Sequence, residues 1–119
     1  MAIKTVGIGK QYSTTPSAIA AAQDGNTIQV DAGTYSNQYA QIAKNITLEG
    51  VGGKVKMTST GLIPNGKGIL ITDGNVTINN FEFSGAKVAD GNGAGIRHET
   101  GNLTLNNDGF SNILLESLV

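Results

Sequence analysis

Cysteine is absent from the 119 residues, which excludes disulfides, thiolate metal sites and a thiol nucleophile and leaves packing and backbone hydrogen bonds to hold the fold. Tryptophan is also absent and aromatic residues amount to 5%, so few rings are available to stack on bases or sugars. Charge is sparse as well: eight Lys+Arg against nine Asp+Glu give a net charge of −1 with no basic cluster, so no nucleic-acid partner is expected. No run of about 18 apolar residues occurs, and the opening MAIKTVGIGK has no apolar stretch of signal-peptide length. Neither a membrane span nor an export signal is expected.

What the chain has in excess is glycine, 17 residues, distributed through a sequence that repeats itself. The segment GNVTINNFEFSG at 74–85 matches GNLTLNNDGFSN at 101–112 after a shift of 27, with seven of twelve positions identical. Gly68-Ile69 maps onto Gly95-Ile96 at the same shift, and Asn45-Ile46-Thr47-Leu48 matches Asn75-Val76-Thr77-Ile78 after a shift of 30. Repeats of this length signify stacked units.

Each copy carries an apolar-Thr-apolar strand: Ile46-Thr47-Leu48, Val76-Thr77-Ile78 and Leu103-Thr104-Leu105. The period of two puts the aliphatic residues on one face and the threonines on the other. Units this short leave no room for crossover helices between parallel strands. The fold expected is therefore all-β, a short right-handed parallel β-helix of about three to four coils. Asn79-Asn80 recurs as Asn106-Asn107, where asparagine accepts left-handed backbone geometry and can bond its counterpart one coil away, so an asparagine ladder is expected.

Ahead of the coils, Thr15-Pro16 opens an alanine-rich run ending at Asp24-Gly25, which predicts a helix over about 15–24 that closes the N-terminal end of the stack. The β-helix domain is assigned to 1–112. After Asn112 the Gly/Asn pattern stops, and Leu114, Leu115, Leu118 and Val119 fall at helical spacing, so 113–119 is expected to be an apolar tail forming a short capping helix or an association surface.

The run Ser17 to Ala22, then Asp24-Gly25-Asn26-Thr27-Ile28, Ala32-Gly33-Thr34-Tyr35 and Ile46-Thr47-Leu48-Glu49-Gly50 resembles the opening of the pectate-lyase-like β-helix superfamily, in particular its bacterial right-handed parallel β-helix repeat proteins. The resemblance implies the fold and leaves activity open, because that superfamily holds lyases, hydrolases, esterases, epimerases and non-enzymatic members. The catalytic residues of that superfamily usually sit on later coils, so the resemblance carries none of them over to this sequence.

His98, the single histidine, lies in Ile96-Arg97-His98-Glu99. The shift of 27 sets His98 on Ile71 and Ile96 on Ile69, which predicts an inward, structural histidine. Arg97 and Glu99 then face outward as a surface pair. Asp24-Gly25-Asn26, Asp73-Gly74-Asn75 and Asp90-Gly91-Asn92 are read as turns, since their spacing fits no calcium loop. The glycine-rich runs 50–53 and 91–95 are read as bends, and the three Asn-x-Thr sequons as products of the repeat.

No cofactor, metal or catalytic constellation is implied. The expected function is a non-catalytic β-helix module, a truncated or engineered scaffold that forms a homo-oligomer, foremost a dimer, through its C-terminal end. The alternative is a carbohydrate-binding or lyase-like protein that meets an acidic polysaccharide with Thr47, Thr77, Thr104, Arg97 and Glu99.

Overall fold

The structure is a computed structural model and describes residues 2–60, 63–65, 67–85, 94–111 and 114–117. In chain order the elements are β1 (Ile3–Val6), α1 (Thr15–Ala21), β2 (Thr27–Ser36), β3 (Ala40–Ile42), β4 (Ile46–Thr58), β5 (Gly68–Asp73), β6 (Val76–Asn79), β7 (Phe81–Ser84), β8 (Ala94–Thr100), β9 (Leu103–Asn106), β10 (Gly109–Ser111) and β11 (Leu114–Ser117).

Every strand pairing between these elements is parallel. One face stacks β1-β2-β4-β6-β9, and a second stacks β3-β5-β8-β11. The third is made by the later halves of β2 and β4, then β7 and β10. Read along the chain, β2-β3, β4-β5, β6-β7-β8 and β9-β10-β11 each visit all three faces once. The protein is a β-solenoid of four coils, preceded by the single strand β1.

The aliphatic columns expected from the repeat are present. Ile46, Val76 and Leu103 stack in one, and Leu48, Ile78 and Leu105 in the next, which Ile28 extends into the first coil. The positions in the inner coils are buried and those of the last coil half-buried. A third column runs Tyr35, Met57, Phe83, Phe110. Its two phenyl rings lie stacked 5.4 Å apart between centroids.

The asparagines that follow β6 and β9 behave as their sequence positions require. Asn80 and Asn107 have φ of 63° and 57°, and the amide of Asn107 donates to the Asn80 side-chain oxygen at 2.7 Å. Asn106 repeats this with Asn79 at 2.7 Å. A second ladder, which the repeat had suggested only as sequons, precedes the Thr strands. Asp24, Asn45 and Asn75 each offer Oδ1 to the backbone N–H of the next coil, Asn45, Asn75 and Asn102 respectively, at 2.9–3.0 Å.

Several expectations need correction. The helix begins at Thr15 as expected, behind Thr14 as the cap whose hydroxyl accepts from Ser17 N–H, but it ends at Ala21 rather than near Asp24. The glycine run 50–53 does not separate strands but is a corner inside β4, with Gly52 at φ 83°. Ala94 and Gly95 belong to β8; residues 91–93 lie outside the described residues.

The described part of the tail is a strand and not a helix. Leu114–Ser117 is β11, paired with β8, and it completes the fourth coil. Ile113, Leu118 and Val119 lie outside the described residues. Helical spacing and a strand flanked by apolar neighbours look alike over so few residues, and the unpaired edge of β8 decides the outcome by offering backbone partners that an isolated short helix cannot match.

Candidate functional site

The outward threonines form one row. Thr27, Thr47, Thr77 and Thr104 occupy successive positions on the first face, half-buried in the inner coils and exposed in the last. Thr27 was not among the residues singled out from sequence, because the interval to Thr47 is 20 residues and not 27 or 30. Beside this row a shallow cleft of about 270 Å³ is lined by Asn26, Thr27, Asn45, Thr47, Asn75 and Thr77. The ladder bonds leave its asparagine oxygens engaged with backbone N–H groups.

Arg97 and Glu99 sit elsewhere, on β8 of the second face. Arg97 Nε lies 3.5 Å from Glu99 Oε2, and Lys67 Nζ reaches the same oxygen at 3.4 Å. The structure thus does not bring Arg97 and Glu99 together with the Thr row. One carboxylate held between two cations on a partly exposed surface is worth at most about 1 kcal/mol.

His98 is inward, 4% exposed. Its register partner is Thr72 and not Ile71, and that of Ile96 is Leu70 and not Ile69, because β8 carries one extra residue between His98 and Thr100. Ahead of this bulge the offset between the two strands is 26; after it, the repeat of 27 is restored. His98 therefore stands in the interior column Ile42, Thr72, His98, with Ser117 at the next register position.

Its Nε2 lies 2.8 Å from the carbonyl of Gly101, which can only accept, so Nε2 carries a hydrogen. Nδ1 lies 2.7 Å from the Thr72 hydroxyl. The first bond holds the β8–β9 corner and the second ties β8 to β5 one coil earlier, so both ring nitrogens are engaged within the fold.

A second cleft of about 310 Å³ near the N-terminal end is lined by Gly7, Ile8, Ser13, Asp31, Gly33 and Tyr35. The Tyr35 hydroxyl donates to the Asp31 carbonyl at 2.7 Å. Burial, then the negative charge of Asp31, push the phenol above its usual range. Tyr35 stays protonated at neutral pH and is a hydrogen-bond donor there, not a base.

The two ends of the stack differ. At the N-terminal end α1 lays Ala18 and Ile19 over the core, and Lys44 Nζ donates to the carbonyls of Ile19 and Ala20 at 2.8 and 3.1 Å, satisfying the last turn. The segment after β1 folds back on it: Tyr12 N–H donates to Thr5 O, and Gly7 N–H to Tyr12 O, both at 2.9 Å.

Among the described residues, the last rung of the first face at the C-terminal end is β9. Val76 N–H donates to Asn102 O and Asn80 N–H to Asn106 O. In a parallel ladder this alternation directs Thr104 toward β6 and turns the N–H and C=O groups of Leu103 and Leu105 to the open edge. Leu103, Leu105 and Phe110 are only half-buried there.

Asp108, half-buried, precedes β10 as Phe81 opens β7 one coil earlier, and its Oδ1 accepts from Phe81 N–H at 2.7 Å. Burial pushes this carboxyl above the ordinary aspartate range, against the opposing pull of the backbone N–H groups and of Lys54.

Among the described residues, no group of three or more His, Cys, Asp or Glu side chains is placed to hold a metal ion, and no helix is long and apolar enough to cross a membrane. Comparison with protein-family models, curated proteins and solved structures returns no match.

Proposed function

We propose that this chain is a non-catalytic β-solenoid module, related to the pectate-lyase-like β-helices, whose role is to associate through its C-terminal end. The observation that carries the reading is the asymmetry of the ends. One is covered by α1 and a folded-back segment, while the other, among the described residues, presents the edge of β9 over half-buried Leu103, Leu105 and Phe110. An unpaired strand edge of this kind is a template for another chain. Light scattering over a rising concentration series tests it: the mass should climb from that of one chain toward twice that value. A single-chain mass throughout contradicts the proposal.

A second reading, an outward face that meets an acidic polysaccharide, is favoured by the Thr27-Thr47-Thr77-Thr104 row and its cleft. Its chemistry is hydrogen bonding by hydroxyls, with Lys67 and Arg97 on another face and already sharing Glu99. A polyuronate panel, with absorbance of unsaturated uronate as the readout, should stay flat if the first reading holds. Turnover would replace it with a lyase.

A further inference from the structure

The edge of β9, which no strand among the described residues pairs, has a feature that selects its occupant. Its free backbone groups belong to Leu103 and Leu105, two residues apart, with Thr104 between them bonded back to β6. If a second β9 approaches antiparallel about a two-fold axis through Thr104, Leu103 of one chain lies opposite Leu105 of the other. That pair exchanges two hydrogen bonds, N–H to C=O in both directions, and symmetry supplies the same at the other end of the strand. Thr104 meets its own counterpart as the central, non-hydrogen-bonded pair. The leucines of both strands stay on the core side and the threonines on the outer side of the joined face.

A head-to-tail arrangement is disfavoured by the other end. The edge of β1 is partly used, its Thr5 carbonyl accepting from Tyr12 N–H. Lys4, over the Tyr12 ring, takes the interior register position next to Ile28, so an incoming β9 would have to bury an ammonium against Leu105. We infer that the partner of the C-terminal end is a second copy of this chain, joined β9 to β9 in an antiparallel, two-fold seam. This rests on the association reading above and adds the identity and geometry of the partner.

The absence of native cysteine makes the test clean. Thr104 is exposed, so Thr104→Cys should leave the fold intact, which circular dichroism verifies. A non-hydrogen-bonded antiparallel pair sets the two Cα atoms about 4.5 Å apart, within disulfide reach. Dissolved oxygen with catalytic copper should therefore oxidise the two thiols to one disulfide and convert most of the protein to a covalent dimer on non-reducing electrophoresis. Thr47→Cys, in the same row but two coils inside, should form no covalent dimer under the same treatment. A doubled mass by light scattering without the Thr104→Cys cross-link would overturn the two-fold seam and leave association standing. A single-chain mass with no cross-link would overturn both.

Discussion

At the scale of single residues, the interior columns and the few polar groups set into them decide stability. Ile78 is fully buried between Leu48 and Leu105. Ile78→Ala should cost about 2–5 kcal/mol in equilibrium denaturation, the sum of lost transfer energy and the cavity left behind. His98 and Arg97 are neighbours with opposite fates. Arg97→Ala removes part of a surface ion cluster and should shift the melting temperature little. His98→Asp puts a carboxylate beside the Thr72 hydroxyl and the Gly101 carbonyl, where it has one donor and faces one acceptor, and should lower the melting temperature strongly.

Asp108 gives a pH signature. Its carboxyl is raised in the folded state, so between the unfolded and folded pKa values the folded chain holds a proton that the unfolded chain has released. The stability it contributes is fully present below the ordinary aspartate range and is lost as pH rises through the raised value. Denaturation midpoints measured across the acid range should fall less steeply with rising pH in Asp108→Asn than in the parent chain, since the amide keeps an oxygen for Phe81 N–H but cannot ionise.

At the scale of elements, the solenoid is held by register and not by a fixed period. The Thr row advances by 20, 30 and 27 residues from coil to coil, yet each step places Thr on Thr. Extra residues are absorbed at corners and bulges, where they change no interior column. This is why the strand Val76-Thr77-Ile78, its aliphatic columns and the Asn80–Asn107 ladder were legible in the sequence, whereas Thr27 was not.

The bulge before Thr100 shifted the expected partner of His98 by one residue without changing its inward face, because the repeat on either side of it is differently phased. The tail was misread for a related reason: β11 has no copy of its own sequence upstream, and its strand identity comes from pairing with β8. The second ladder was visible only as recurring Asn-x-Thr. Asn75 is its central rung, accepting from Asn102 N–H while its own N–H donates to Asn45. Asn75→Ala should remove one such bond and cost about 1 kcal/mol, measured by denaturant titration.

At the scale of the whole molecule, the four coils form a stack covered at its N-terminal end, while at the other end no further strand among the described residues pairs with β9. The finished end spends a helix too short to be stable in water, the Lys44 bonds to its last carbonyls and the Tyr12 fold-back on covering the first rung. The open end presents the backbone of Leu103 and Leu105. Amide hydrogen exchange resolved at these residues, at low and at high protein concentration, tests the account most directly. The Leu103 and Leu105 amides should exchange rapidly in the dilute sample and become protected in the concentrated one, while Thr104 and Asn106, bonded back to β6, stay protected in both. Exchange at Leu103 and Leu105 that does not change with concentration would contradict it.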